Sequence, residues 1–305
     1  MPDLTEMVLL GGFGAAFGIF VLAALLRRRG VQRPAPGRND DAGAEDAALD
    51  SLEWGRVLPP PLPVGRVPVW FYQPLDLLGA GLVFGVFGML AWGAAGTARD
   101  APLDLKPATL LVNIGFQCFM AGLVAMFGVR RVGWATWLGL RWPGWHWVFL
   151  IAPCAVLFMW AVFGGLQYSG YMDWMQSLGV ETVQDTVKLL QKSEDPMVLG
   201  LMSLTAVIVA PICEEMVFRG YFYPVLKKFA GAWTAAACSA WIFASAHGNL
   251  TVVLPLFLFG GLLVFIYEKT GSIWAPIAVH CCFNSATVIV QIAARCYDLP
   301  LNNPP

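Results

Sequence analysis

The chain has 305 residues, of which 58% are hydrophobic and only 13% are charged, and its mean hydropathy is +0.64. This composition lies outside the range of soluble globular proteins and indicates a membrane protein. The formal net charge of −1 argues against a nucleic-acid partner, because phosphate binding needs a clustered excess of Lys and Arg. The cysteines show no CxxC pair and no zinc-finger spacing, so we interpret them as small apolar helix residues.

The first apolar run, residues 7–26, is long enough to span a bilayer and ends at Arg27, Arg28 and Arg29. Acidic residues precede the run and basic residues follow it, which is the reverse of a cleavable signal peptide. We therefore predict that residues 1–29 form a transmembrane anchor with its N-terminus outside. Residues 30–74 are rich in Pro, Gly, Asp and Ala, a composition that predicts a disordered cytoplasmic linker.

Further apolar runs lie at 75–96, 107–128, 146–166, 197–218, 232–250, 252–267 and 273–294. With the first run they predict an all-α, polytopic membrane helix bundle of about eight transmembrane segments. When the runs are threaded alternately through a bilayer, most Lys and Arg residues fall on one side, which the positive-inside rule makes cytoplasmic. A cytoplasmic (inner) membrane is expected. The polar segment 167–195, with interspersed Met and Leu, predicts an amphipathic helix lying on the outer face.

The fifth run carries ionisable side chains at membrane depth, where a charge costs about 2.5 kcal/mol or more unless it is functional or paired. These residues are Glu214, Glu215 and Arg219. At 100° per residue, Arg219 lies about 40° around the helix from Glu215 but about 140° from Glu214. The spacing predicts a Glu215–Arg219 ion pair and leaves Glu214 free to act. The alternative is that both carboxylates lie in a cytoplasmic loop.

Two histidines also occur in apolar runs, His247 at the end of the sixth and His280 inside the eighth. A lone membrane histidine is more often a hydrogen-bonded structural group than a ligand. Asn284, however, follows His280 by four residues, so the two side chains share one helix face. This polar patch in an apolar run favours a functional role.

Helical geometry predicts that the polar groups of the fifth and sixth helices meet. If the chain reverses near Ala230 and Gly231, Glu214 and His247 both lie about 24 Å from the turn and are level in an antiparallel pair. Pro211, one turn before Glu214, is expected to kink the helix near the site.

Three ordered motifs in these runs resemble those of the CPBP family, which contains the type II CAAX prenyl endopeptidases and bacterial Abi-type intramembrane proteases. They are EExxxR at 214–219, FxxxH at 243–247 and HxxxN at 280–284. The resemblance covers roughly residues 145–290. It implies a catalytic membrane core over 145–294, preceded by accessory transmembrane helices over 75–144. It also implies that the substrates are membrane-associated proteins or peptides, with or without a lipid group.

The resemblance further implies a division of roles among the motif residues. Glu214 and His247 would hold and deprotonate a water molecule, while His280 and Asn284 would stabilise the oxyanion that develops on the substrate.

A metal is the open alternative in this chemistry, because one Glu and two His are also the ligand set of catalytic zinc. Glu214, His247 and His280 are therefore the candidate ligands of one divalent metal such as zinc. We favour a metal-free reaction driven by the glutamate. In either case Glu215 and Arg219 would lie behind the reacting groups and support them.

Two other classes of function fit the same polar residues. A non-catalytic scaffold or sensor could bind peptide segments in the same pocket. A proton-coupled transporter could use membrane Glu and His as a proton relay. Transporters more often show repeated halves with discontinuous helices at corresponding positions, and the sequence shows no such repeat.

Overall fold

The computed structural model describes residues 4–31, 66–96, 106–180, 182–183 and 185–297. Of the residues in these ranges 83% are helical, and none forms a strand. The predicted all-α class is therefore confirmed. In chain order the helices are α1 (Leu4–Val31), α2 (Asp76–Gly96), α3 (Pro107–Val129), α4 (Trp134–Trp137), α5 (Trp145–Tyr168), α6 (Tyr171–Ser177), α7 (Asp185–Lys192), α8 (Pro196–Ala230), α9 (Ala232–Ser245), α10 (Leu250–Thr270) and α11 (Trp274–Cys296).

Among the residues that the structure describes, six helices are long and apolar enough to cross a membrane: α1, α3, α5, α8, α10 and α11. Each apolar run of the sequence corresponds to a helix, so the chain is a multi-pass membrane protein as predicted. One run gives a shorter helix than expected. Helix α9 has 14 residues, or about 21 Å, which is less than the roughly 30 Å of bilayer hydrocarbon.

Helix α8 is much longer than the predicted run 197–218, because it continues to Ala230 over 35 residues. The extension is possible because its basic residue Lys227 is not solvated but pairs with Glu268 at the end of α10. Two stretches of α8, Thr205–Val209 and Met216–Phe222, have π-helical geometry. Such stretches inside α-helices are frequently found at functional sites.

Helix α1 packs into the bundle against α8 and α9. The Cys238 thiol of α9 donates to the carbonyl of Ala16 at 3.4 Å. At its basic end, Arg27 donates through Nη1 to the carbonyl of Lys227 at 3.2 Å. The first helix therefore contributes directly to the environment of the motif helices.

The predicted linker 30–74 falls largely outside the described residues, and its disorder stays a prediction for 32–65. Its last part, residues 66–74, is packed instead. The backbone N–H of Arg66 donates to the carbonyl of Glu268, and Val67 and Tyr72 are buried. The Tyr72 hydroxyl donates to the carbonyl of Gly220 at 2.9 Å. Apolar side chains and this hydrogen bond explain why the Pro-rich composition does not prevent packing here.

The segment 167–195 forms two short helices, α6 and α7, instead of the single surface helix that the sequence predicts. Gly170 and Gly179 separate them from their neighbours with positive φ angles of 78° and 74°. Helix α6 buries two methionines and α7 buries Leu189 and Leu190. The apolar side chains of both helices therefore lie against the bundle.

Candidate active site

Helix α8 positions the two adjacent glutamates in a short α-helical segment, Ala210–Glu215, between its two π-helical stretches. In the first stretch the N–H of Ala210 donates to the carbonyl of Thr205, five residues earlier. The same register would pair the Ala206 carbonyl with Pro211, which has no N–H to donate. The Asn284 amide of α11 fills this gap, because its Nδ2 donates to the Ala206 carbonyl at 2.8 Å.

Glu215 and Arg219 form the ion pair that their spacing predicts. The guanidinium Nη1 donates to Glu215 Oε1 at 2.8 Å, and both side chains are fully buried. Nη2 donates to the carbonyl of Gly260 on α10 at 3.1 Å. The guanidinium carbon also lies 4.4 Å from the centre of the Phe243 ring, a cation–π distance. Arg219 thus joins α8, α9 and α10 at the site.

His280 lies between the two glutamates and is itself buried. Its Nδ1 lies 2.9 Å from Glu215 Oε1, and since a carboxylate only accepts, this nitrogen donates. Its Nε2 lies 3.9 Å from Glu214 Oε2, within ion-pair range but beyond hydrogen-bond distance. The rings of Phe243 and Phe259 meet the imidazole edge-on, with centroid distances of 5.8 and 5.3 Å. The aromatic contacts hold the ring beside both carboxylates.

Glu214 and His247 line one cavity of about 170 Å³ between α2, α3, α8 and α9. Glu214 is partly buried, and its Oε2 is enclosed without a hydrogen-bond partner among the described residues. His247 is exposed, and its Nδ1 lies 2.9 Å from the carbonyl of Phe243. Because a carbonyl only accepts, Nδ1 carries the proton and Nε2 of the neutral ring is left as an acceptor. Two acceptors therefore share a space large enough for water.

The other two motif residues, His280 and Asn284, are not part of the cavity wall. His280 reaches it only through Glu214, and the Asn284 amide is engaged by the Ala206 carbonyl. The structure therefore places two of the four predicted catalytic residues, Glu214 and His247, at the cavity and the other two outside its wall.

Sequence reasoning missed two polar residues of the same wall, Asn113 and Gln117 on α3. A signal was present, since they are the only Asn and Gln in the apolar run 107–128 and stand four residues apart.

The candidate metal ligands do not converge on one point. Within the described ranges, no three His, Cys, Asp or Glu side chains are grouped so that they could hold a metal ion. One ring nitrogen of His280 faces Glu215, and one of His247 faces the Phe243 carbonyl. The residues present do not fit a three-ligand metal centre, and no step below depends on one.

The class that the structure defines is a multi-pass helical membrane protein with Glu and His side chains at one cavity between its helices. Residues 196–286 match the family described as "Type II CAAX prenyl endopeptidase Rce1-like". The matched residues contain all three motifs, and the match confirms the resemblance of this segment to that family.

A curated relative agrees with the family match. Over 136 residues the chain is 27% identical to the Bacillus subtilis (strain 168) protein named "Putative membrane peptidase YdiL". The aligned segment covers 45% of this chain and 52% of that protein. The chain thus spans about half the length of the curated relative that it matches. No solved structure gives a significant match.

Proposed function

We propose that this protein is a membrane-embedded endopeptidase in which Glu214 activates a water molecule for attack on a peptide bond. The observation that carries the proposal is the pairing of Glu214 with His247 at one cavity inside an apolar bundle. The enclosed Oε2 of Glu214 and the free Nε2 of His247 are both acceptors, so one water can donate a hydrogen bond to each.

The reaction then needs only side chains of this chain. Glu214 takes a proton from the water as its oxygen attacks the carbonyl carbon, and the carbonyl becomes an oxyanion. As the C–N bond breaks, Glu214 returns the proton to the leaving nitrogen. His247 orients the water through Nε2. His280, with Glu215 and Arg219 behind it, lies within ion-pair range of Glu214 and helps to hold the carboxylate at the cavity.

We propose that the substrates are membrane-associated proteins or peptides, of the kind processed by CAAX-type proteases, with or without an attached lipid. The apolar environment of the cavity supports this substrate class, because a hydrophilic peptide would have to be desolvated to enter it. We also propose that the protein resides in the cytoplasmic (inner) membrane with its N-terminus outside, in contact with the lipid bilayer and with no nucleic acid.

The proposal can be tested with purified protein in proteoliposomes and a set of internally quenched fluorescent peptides, some carrying an S-farnesyl cysteine. We expect wild-type protein to cleave members of the set. Glu214→Gln should lower turnover by about a hundredfold or more, since it removes a general base but almost no volume. Its melting temperature should stay near that of the wild type.

Glu194→Gln is the matched control, because it makes the same chemical change at an exposed residue outside the cavity. Its turnover should equal that of the wild type. A Glu214→Gln variant that retains turnover within about twofold of the wild type would rule out this mechanism. Peptide binding without any cleavage by the wild type would instead favour a non-catalytic scaffold.

A further inference from the structure

The wall of the cavity has a second polar feature, formed by Asn113 and Gln117 on α3. The Gln117 Nε2 donates to Asn113 Oδ1 at 2.7 Å, so the two amides form a ladder along one face of the helix. Neighbouring positions on the other face, such as Val112 and Phe119, are exposed apolar residues suited to lipid. The two amides therefore lie on the face of α3 that borders the cavity, where Asn113 is exposed and Gln117 is partly buried.

The hydrogen-bonding capacity of this ladder is only partly used. Gln117 Oε1 is fully enclosed and has no hydrogen-bond partner in the described part of the chain. The amide nitrogen of Asn113 appears in none of the hydrogen bonds of this cavity. A buried amide oxygen without a partner is unfavourable, and more so in a bilayer that supplies no water. The ladder thus offers one free acceptor and one donor group to whatever occupies the cavity.

An extended peptide main chain has the complementary pattern, because the N–H and C=O of one residue point to the same side. The ladder and the Glu214–His247 pair line the same cavity, the ladder from α3 and the pair from α8 and the residues that follow α9. A peptide held by the amides of α3 would therefore pass in front of Glu214.

We propose that Asn113 and Gln117 form a subsite that binds the main chain of one substrate residue next to the scissile bond. Gln117 Oε1 accepts the N–H of that residue, and the Asn113 amide donates to its C=O. The subsite rests on the proposed protease function and extends it by assigning residues that bind the substrate backbone and not a substrate side chain. It also provides an extended peptide with a hydrogen-bond partner inside the membrane.

The experiment uses quenched peptides that the wild-type protein cleaves, together with analogues in which one backbone N–H is replaced by an ester oxygen. The ester is placed in turn at each position except the scissile bond. In the wild type, one ester position should lower kcat/KM about fivefold, mainly through KM, because one hydrogen bond is lost. In Gln117→Leu and in Gln117→Met, the all-amide peptide should be cleaved about tenfold less efficiently, and the same ester should have no further effect.

Phe119→Leu, on the lipid-facing side of α3, is the control and should retain the wild-type response to every ester. If Gln117 were only structural, its variants would lose activity on all peptides but keep the wild-type ester effect, and this result would overturn the subsite. Full activity of both Gln117 variants would also overturn it. Failure of the wild type to cleave any peptide would overturn the proposed protease function and the subsite with it. The results with the Gln117 variants, in contrast, would overturn the subsite alone.

Discussion

The charges around Glu214 are few and close together, so each residue of the group affects the others. Glu214 and Glu215 bring two carboxylates to a site where Arg219 is the permanent cation of the group. His280 lies within ion-pair range of both carboxylates. Removal from water makes an unpaired charge costly, which explains why the fully buried Glu215 is paired with Arg219.

Arg219→Ala should therefore lower thermal stability as well as activity. It removes the partner of Glu215 and leaves a buried carboxylate uncompensated, a change that typically costs about 3 to 5 kcal/mol. The measurement is the melting temperature in detergent, together with cleavage of the quenched peptides. Arg219→Lys should recover only part of the loss, because a single ammonium cannot make the separate contacts to Glu215 and the Gly260 carbonyl.

The double variant Glu215→Leu with Arg219→Leu is the control for this explanation. It removes both charges at once and should melt at a higher temperature than Arg219→Ala, although it should not restore activity. An Arg219→Ala protein with the melting temperature of the wild type would show that these groups are solvated and that the ion pair contributes little.

Metal removal tests the choice between the two chemistries that the motif residues allow. Since Glu214, His247 and His280 do not converge as ligands, we expect turnover to be unchanged after prolonged incubation with a strong chelator of divalent metals. Elemental analysis of the purified protein should find no stoichiometric zinc. Loss of activity on chelation, with recovery on adding zinc, would contradict the glutamate-driven mechanism and restore the metal alternative.

At the scale of helices, the irregular geometry of α8 and the asparagine of α11 depend on one another. Pro211 leaves the Ala206 carbonyl without a helical donor, and Asn284 supplies the missing hydrogen bond from another helix. This contact ties α11 to the turn just before Glu214. Asn284 therefore has a structural role, that of donor to the Ala206 carbonyl, in addition to the oxyanion role that the family resemblance implies.

Asn284→Leu should consequently lower the melting temperature, because it leaves the Ala206 carbonyl buried without a donor. Adding Pro211→Ala supplies a new N–H in the π-helical register and should recover part of that stability. The expected coupling between the two substitutions is about 1 kcal/mol, measured as a double-mutant cycle of thermal unfolding.

If Asn284 acted only on the oxyanion, Asn284→Leu would abolish turnover without changing the melting temperature, and Pro211→Ala would have no specific effect on it. Additive effects of the two substitutions on unfolding would likewise contradict the proposed contact.

Helical periodicity and hydropathy were sufficient to predict the helices and the Glu215–Arg219 pair, because both depend on residues close in sequence. The π-helical stretches could not be predicted, since they depend on contacts such as Asn284 with Ala206. The length of α8 could not be predicted either, because Lys227 looks like a solvated residue until Glu268 is placed beside it. Long-range pairing of polar groups therefore accounts for most of the differences between the helices predicted from the sequence and those of the structure.

Considered as a whole molecule, the bundle has two ends of different character. At one end the basic residues make contacts that join separate parts of the chain: Arg27 with α8, Arg131 with Asp76, and Lys228 with the carbonyl of Tyr72. Exposed tryptophans lie near the same end, including Trp134, Trp145 and Trp274. Basic residues with an aromatic belt are typical of a cytoplasmic membrane interface.

The last prediction is that this basic end faces the cytoplasm. Glu214 lies about 20 Å from Lys227 by helical rise, so the cavity would lie deep in the bilayer if the end of α8 stands at the interface. In a background without the native cysteines, a cysteine at Lys228 should react with an impermeant maleimide only after cells are opened. Glu194→Cys, at the exposed start of α8, is the matched control and should react in intact cells. The reverse pattern would invert the topology and place the N-terminus of α1 in the cytoplasm, because Arg27 contacts the carbonyl of Lys227 and fixes the two helices at the same end.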